Sequence, residues 1–157
     1  MNNPPRLRVT ARALIIEHEK LLFVSDEGTY WYLPGGKIEN SETLTTCVER
    51  EVYEETGLVV KAGLLRHVLE CFDIENHVHN IHLYFEATVL EGAISDNWSD
   101  EFGSVQFCKY LSLAEIQKNS AILPRFLAEG DWCDQSSKYQ KIYEGAVNMC
   151  GFEVMEA

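Results

Sequence analysis

Apolar and polar positions alternate from Leu7 onward, with Leu7, Val9, Ala11, Ala13 and Ile15 set against Arg6, Arg8, Thr10 and Arg12, the period of a long strand with one polar face. Glu19 and Lys20 form a turn into a second strand at residues 21–25, so the first two strands make a hairpin. After a loop at 26–29 come three aromatic residues, Tyr30, Trp31 and Tyr32, then Leu33, Pro34, Gly35 and Gly36. A helix at 42–56 follows, capped by Asn40 or Ser41 and closed by Gly57. Residues 59–72 predict a strand with an irregularity near Gly63, and the polar run DIENHVHN at 73–80 predicts the loop of a second hairpin. Its return strand at 81–90 sets Ile81, Leu83, Phe85, Ala87 and Val89 on one face.

Beyond a loop that starts at Glu91, residues 105–110 predict a short strand, 113–117 a helical turn, and Pro124 the first turn of a helix to Ala128 that Gly130 closes. Residues 1–5 form a loose lead-in, and 131–157 a C-terminal extension. The extension holds Trp132, Tyr139, Ile142, Tyr143, Val147, Met149 and Phe152, apolar enough to dock. It either covers the open edge of the sheet or forms part of a homodimer contact. The chain order gives an α+β fold with a mixed sheet between helices, and 157 residues suit a single domain.

The predicted helix at 42–56 carries an electrostatic anomaly. Glu49, Glu51, Glu54 and Glu55 fall in its last two turns, where the macrodipole disfavours negative charge. Glu51 and Glu55 also repel at i,i+4, and Arg50 relieves only part of this. At about 100° per residue, Leu44, Val48, Glu51 and Glu55 share a stripe, with Glu54 at its edge, so an apolar face turns acidic. Two readings follow: a site for a hard divalent cation, or a solvated glutamate-rich face.

Charge and composition narrow the function. The net charge of −12, from 25 acidic and 13 basic residues, argues against long nucleic acids and anionic membranes as partners, while a small phosphorylated ligand is allowed where cations screen it. Apolar content of 46% is that of a globular protein. Cys47, Cys71, Cys108, Cys133 and Cys150 form no CxxC pair and read as small buried hydrophobes in a reducing compartment. No signal peptide is legible, and no run approaches the roughly 18 apolar residues of a membrane span, so the cytoplasm is the expected location. His77, His79 and His82 lack supporting zinc-ligand spacing and read chiefly as solvated loop residues.

The stretch at 36–58 resembles the Nudix box: Gly, five residues, Glu, seven residues, then Arg-Glu-aliphatic-any-Glu-Glu-any-Gly-aliphatic. Gly36, Glu42, Arg50, Glu51, Val52, Glu54, Glu55, Gly57 and Leu58 meet all nine positions. Trp31, Leu33, Pro34 and Gly35 extend the likeness upstream. The resemblance implies a Nudix-type α/β/α sandwich and hydrolysis of the pyrophosphate of a nucleoside diphosphate derivative with Mg²⁺ or Mn²⁺. It implies Glu51, Glu54, Glu55 and the Gly35 carbonyl as metal ligands, with Arg50 orienting the glutamates by salt bridges and Glu42 structural. A later acidic residue completes the site or acts as base; Glu101 is the candidate and Asp100 the alternative, and Glu54 or Glu101 takes the proton. From the residues themselves, Arg12 either reaches a phosphate or is solvated, and Trp31 and Tyr32 either stack on the substrate or pack the loop. Nucleotide sugars and ADP-ribose are the first substrates considered; oxidised nucleoside triphosphates and a non-catalytic nucleotide sensor are the alternatives.

Overall fold

A computed structural model describes residues 3–134, 141–148 and 153–154. The first strand, β1 (Arg6–Leu14), bends at Ile15 into β2 (Ile16–Glu17), which turns back into β3 (Lys20–Ser25). His18 and Glu19 both have positive φ, 49° and 61°, as a two-residue hairpin turn of the favoured twist requires. The predicted hairpin therefore closes one residue earlier and involves only the short β2. The long β1 instead joins another sheet, antiparallel to β4 (Gly35–Lys37) and parallel to β6 (Val78–Glu91).

That sheet has the order β4-β1-β6-β5-β8-β9, where β5 is Val59–Asp73, β8 Tyr143–Asn148 and β9 Glu153–Val154. The second sheet is β2-β3-β7, with β7 at Phe107–Ser112. Parallel and antiparallel pairings coexist in the larger sheet, the mixed α+β arrangement the chain order predicts. The register between β5 and β6 shifts between Ala62 and Leu65 and again before His67, at the irregularity foreseen near Gly63. The β5–β6 hairpin loop is shorter than the polar run suggested. Strand β6 begins at Val78, so His79 and His82 are strand residues and only His77 stays in the exposed turn.

Two apolar cores lie in the fold. Val48, Val52 and Cys47 of α1 (Leu44–Thr56) meet Ala11, Ala13, Leu22, Phe85 and Ala87 in one cluster. The other cluster joins Leu14, Phe23, Trp31, Leu69 and Tyr84 with Ile116 of α2 (Leu113–Lys118) and Leu127 and Trp132 of two 3-10 turns. The segment after Pro124 is 3-10 and not α-helical, and Gly130 closes it at φ 85° as expected of a left-handed cap. Cys47 and Cys71 are buried, but Cys133 is exposed, a departure from the buried-hydrophobe reading; Cys150 lies outside the described residues.

Strand β8 runs parallel to β5 along Val68 to Phe72, so the described part of the extension covers that length of the sheet edge. The buried side chains of His67 on β5 and Glu144 on β8 meet at 2.8 Å across this pairing. Tyr139, Met149 and Phe152, read as docking residues, lie outside the described residues. No described helix is long and apolar enough to cross a membrane.

Candidate active site

The site begins where β1 meets the turn into β4. In register, Arg12 faces Gly35 and Ala11 faces Gly36. Gly35 has φ 144°, and a Cβ there would lie 2.3 Å from the Ala11 carbonyl, so no larger residue fits so close to β1. Three successive backbone groups of the turn are engaged: the Leu33 carbonyl accepts from Arg12 Nη1 at 2.8 Å, the Pro34 carbonyl from the Ala13 N–H at 2.8 Å, and the Gly35 N–H donates to Glu55 Oε2 at 3.0 Å.

Helix α1 starts later than predicted. Thr43, not Asn40 or Ser41, is the cap: its hydroxyl accepts from the Thr46 N–H at 3.2 Å, and its own N–H donates back to Thr46 Oγ1 at 3.0 Å. Glu42 is thereby left outside the helix, where it binds Arg50. Arg50 Nε and Nη2 meet the two Glu42 oxygens at 2.6 and 3.1 Å, a bidentate pair that holds the Glu42 carboxyl down at about 2. The remaining arm of Arg50, Nη1, donates to Glu51 at 3.0 Å and Glu54 at 3.2 Å. Arg50 therefore bridges Glu42, Glu51 and Glu54.

The four glutamates of the helix end separate. Glu49 leaves the cluster to pair with Lys61 at 3.2 Å and accept from the Ala62 N–H at 3.0 Å. Glu51, Glu54 and Glu55 converge with Asp100 and Glu39 on a cleft of about 300 Å³, which Tyr32 and Arg50 also line. Glu55 is buried, and its carboxyl is pushed up to about 8, chiefly by burial, with Glu51 and Asp100 adding like charge against the relief from Arg12 and the Gly35 N–H. Burial likewise raises Glu51 above the usual range. At the helix end, Gly57 adopts φ 78° and Trp98 lies against it, donating from Nε1 to the Glu54 carbonyl at 2.9 Å.

Asp100, half-buried, reaches the cleft and accepts from the Val105 N–H at 3.2 Å, whereas Glu101 is exposed and not among the described residues lining it. Tyr32 lines the cleft and donates from its hydroxyl to Asp26. Trp31 is only 8% exposed, its backbone bonded to Ala121 and Leu123 and its ring under the Lys109 ammonium at 3.8 Å. It lines a neighbouring cavity of about 360 Å³ with Trp98, Phe107, Gln106 and Lys109, which adjoins the cleft at Glu55 and Val105. Trp98, Phe107 and Lys109 went unread in the sequence, since no spacing rule joins a loop tryptophan to a residue of β7.

Among the described residues, no three His, Cys, Asp or Glu side chains stand close enough to hold one ion as they lie. Arg50 holds Glu51 and Glu54, and the Gly35 N–H holds Glu55. The donor set is nonetheless all carboxylate oxygen, the chemistry that hard divalent cations select.

A family model of the NUDIX domain matches residues 6–129. Among the relatives, a MutT-like protein of Streptomyces ambofaciens is 41% identical over 66 residues, which are 40% of this chain and 42% of that protein. An ADP-ribose pyrophosphatase of Methanocaldococcus jannaschii is 39% identical over 62 residues, 40% of this chain and 37% of that protein. These matches thus span less than half the length of either relative. A crystal structure of a UDP-X diphosphatase superposes with a TM-score of 0.68 at 21% identity, covering 92% of this chain and 69% of the other, which establishes the fold. With Arg50, Glu51, Glu54 and Glu55 of the box lining one cleft and the family match spanning most of the length, the chain belongs to the Nudix family.

Proposed function

We propose that this chain hydrolyses the pyrophosphate bond of a nucleoside diphosphate derivative of the ADP-ribose or nucleotide-sugar type with Mg²⁺ or Mn²⁺. The observation that carries this is the gathering of Glu51, Glu54, Glu55 and Asp100 on one cleft, where burial leaves Glu55 short of counter-charge. A pyrophosphate is itself polyanionic, so such a cleft repels it unless cations stand between. Glu51, Glu54, Glu55, Asp100 and the Gly35 carbonyl are the groups that would hold them. Asp100, the alternative to Glu101 in the sequence, takes the outer role because it reaches the cleft. When bound, the cation supplies a Lewis acid for the phosphoryl oxygens and lowers the pKa of water.

The chain's own residues do the rest. Glu54, the most exposed of the three helix glutamates lining the cleft, receives the proton of the attacking water at a carboxylate oxygen. Arg50 fixes its rotamer from four residues upstream. In the adjoining cavity, Trp98 and Phe107, 39% and 45% exposed, offer aromatic faces to a nucleoside, and Tyr32 flanks the phosphates. Trp31 supports that wall from within the core. The 39% identical ADP-ribose pyrophosphatase supports this substrate class.

The test is a panel of ADP-ribose, nucleotide sugars, dinucleotides and nucleoside triphosphates with Mg²⁺, read by phosphate release after phosphatase treatment for the first three and after inorganic pyrophosphatase treatment for the triphosphates. Turnover of the diphosphate derivatives is expected, and Glu54→Gln lowers it by about 10²- to 10³-fold. Turnover confined to nucleoside triphosphates would assign a sanitising hydrolase instead. Tight binding without any turnover would assign a sensor.

A further inference from the structure

Arg12 reads from the sequence as a residue that reaches a phosphate or is solvated; its surroundings fit neither role. The guanidinium is half-buried and is not among the described residues lining the acidic cleft. Its Nη1 donates to the Leu33 carbonyl at 2.8 Å and approaches the Gly35 carbonyl at 3.4 Å, while Nε donates to His82 Nδ1 at 3.4 Å. The Tyr32 ring lies 5.3 Å away, at cation–π distance. Two carbonyls, an imidazole and an aromatic face thus occupy the planar fork.

His82 completes the arrangement. It stands on β6 opposite Thr10, two residues from Arg12 along β1, so the parallel register brings it beneath the guanidinium. Burial, with Arg12 and Arg8 nearby, holds its imidazole neutral, down at about 3. With Nδ1 accepting from Arg12, the ring proton sits on Nε2.

We propose that Arg12, seated by His82, is a positioning residue that sets the orientation of the backbone turn at Leu33, Pro34 and Gly35 and thereby the affinity of the acidic cleft for a divalent cation. This rests on the proposed function, in which the Gly35 carbonyl and Glu55 hold that cation. The turn is fixed at three consecutive points, Leu33 O by Arg12, Pro34 O by Ala13 and Gly35 N by Glu55, and only the first of these is made by a side chain outside the box. Removing it frees the 33–35 turn, in which the Gly35 N–H aims Glu55 and the Gly35 carbonyl, now beside Arg12, would hold the cation. A lysine is no substitute, since one ammonium on a flexible stem cannot span the two carbonyls and the imidazole in one plane.

The experiment is calorimetric titration of the metal-free protein with Mn²⁺, alongside kcat and KM at saturating Mn²⁺, for the wild type, Arg12→Gln, His82→Leu and His82→Asn. Arg12→Gln is expected to weaken Mn²⁺ binding by about tenfold or more, as loss of a residue that orients metal ligands does, with substrate KM within about twofold of wild type. His82→Leu weakens it less, and His82→Asn, which restores an acceptor oxygen near the Nδ1 position, recovers most of the loss. A substrate KM raised about tenfold with unchanged Mn²⁺ affinity would make Arg12 a phosphate ligand and overturn the proposal. If Arg12→Gln fails to fold, the contrast between His82→Leu and His82→Asn carries the test, and equal Mn²⁺ affinities overturn it. A wild type that takes up no Mn²⁺ ends the hydrolase reading as well, whereas wild-type uptake matched by Arg12→Gln ends this one alone.

Discussion

Glu42 and Glu55 are the same residue type at the two ends of one helical segment, yet their carboxyls are driven in opposite directions, to about 2 and about 8. Glu42 sits outside the helix start with both oxygens on the Arg50 fork. Glu55 sits at the helix end in the protein interior, with one backbone N–H as its hydrogen-bond donor and like charges nearby. A paired carboxylate keeps its charge at any physiological pH. A buried one short of partners keeps a proton until something positive arrives. The first suits a structural role, and under the proposed function the second would take a cation.

Removing Glu55's charge is the sharpest way to break that contrast. Glu55→Gln is expected to cost about 10²- to 10³-fold in turnover under saturating Mg²⁺, as much as Glu54→Gln. Stability of the metal-free protein should move the other way. A carboxyl raised from 4.5 to about 8 on folding contributes fully below about pH 4.5, and that contribution is lost as pH rises to about 8. Chelated wild type should therefore weaken from pH 5 to pH 8 relative to Glu55→Gln, by an amount on the order of a few kcal/mol. Urea midpoints at the two pH values measure this, and a parallel decline in both proteins would remove Glu55 as the cause.

Arg50→Ala strikes the structural end. It leaves Glu42, Glu51 and Glu54 without their shared partner, and because these side chains are only partly buried the loss should be about 2–3 kcal/mol. The unfolding midpoint reads it directly. Glu42→Gln is the mildest change, about 1–2 kcal/mol, since the amide keeps one acceptor for Arg50 but loses the charge. Its effect should fade in acid: a carboxyl lowered to about 2 stabilises above its ordinary 4.5 and loses that contribution as pH falls toward 2. An effect of equal size at pH 7 and pH 2.5 would contradict the pairing.

Much of the fold is legible in the sequence. The alternation through β1, the apolar run of β5 with its irregularity near Gly63 and the left-handed Gly57 all follow from local rules. The misreadings have physical causes. Asn40 and Ser41 are as good caps as Thr43 by residue type, and only the capping box with Thr46 decides among them. The polar run at 73–80 reads as loop because His79 is polar, yet it pairs with Glu70 and stacks on Phe72 across the hairpin. The first strand reads as half of a hairpin because chain neighbours usually pair, but β1 instead takes β4 and β6 as neighbours.

For the candidate site, local spacing determined the glutamates and their stripe. A helix has one period, so Glu51 and Glu55 share a face whatever surrounds them. What surrounds them was decided only by the tertiary structure, because charge state depends on burial and on partners distant in sequence. Those partners are Gly35, 20 residues from Glu55, and Arg12 and Asp100, on a strand and a loop far from the helix in sequence. Asp100 reaches the cleft and Glu101 does not, although they are adjacent in sequence, because only the folded loop fixes which way each points. Sequence fixes the periodicity of one element, but the sign and size of an electrostatic interaction are set by distance and solvent, and those exist only once elements pack.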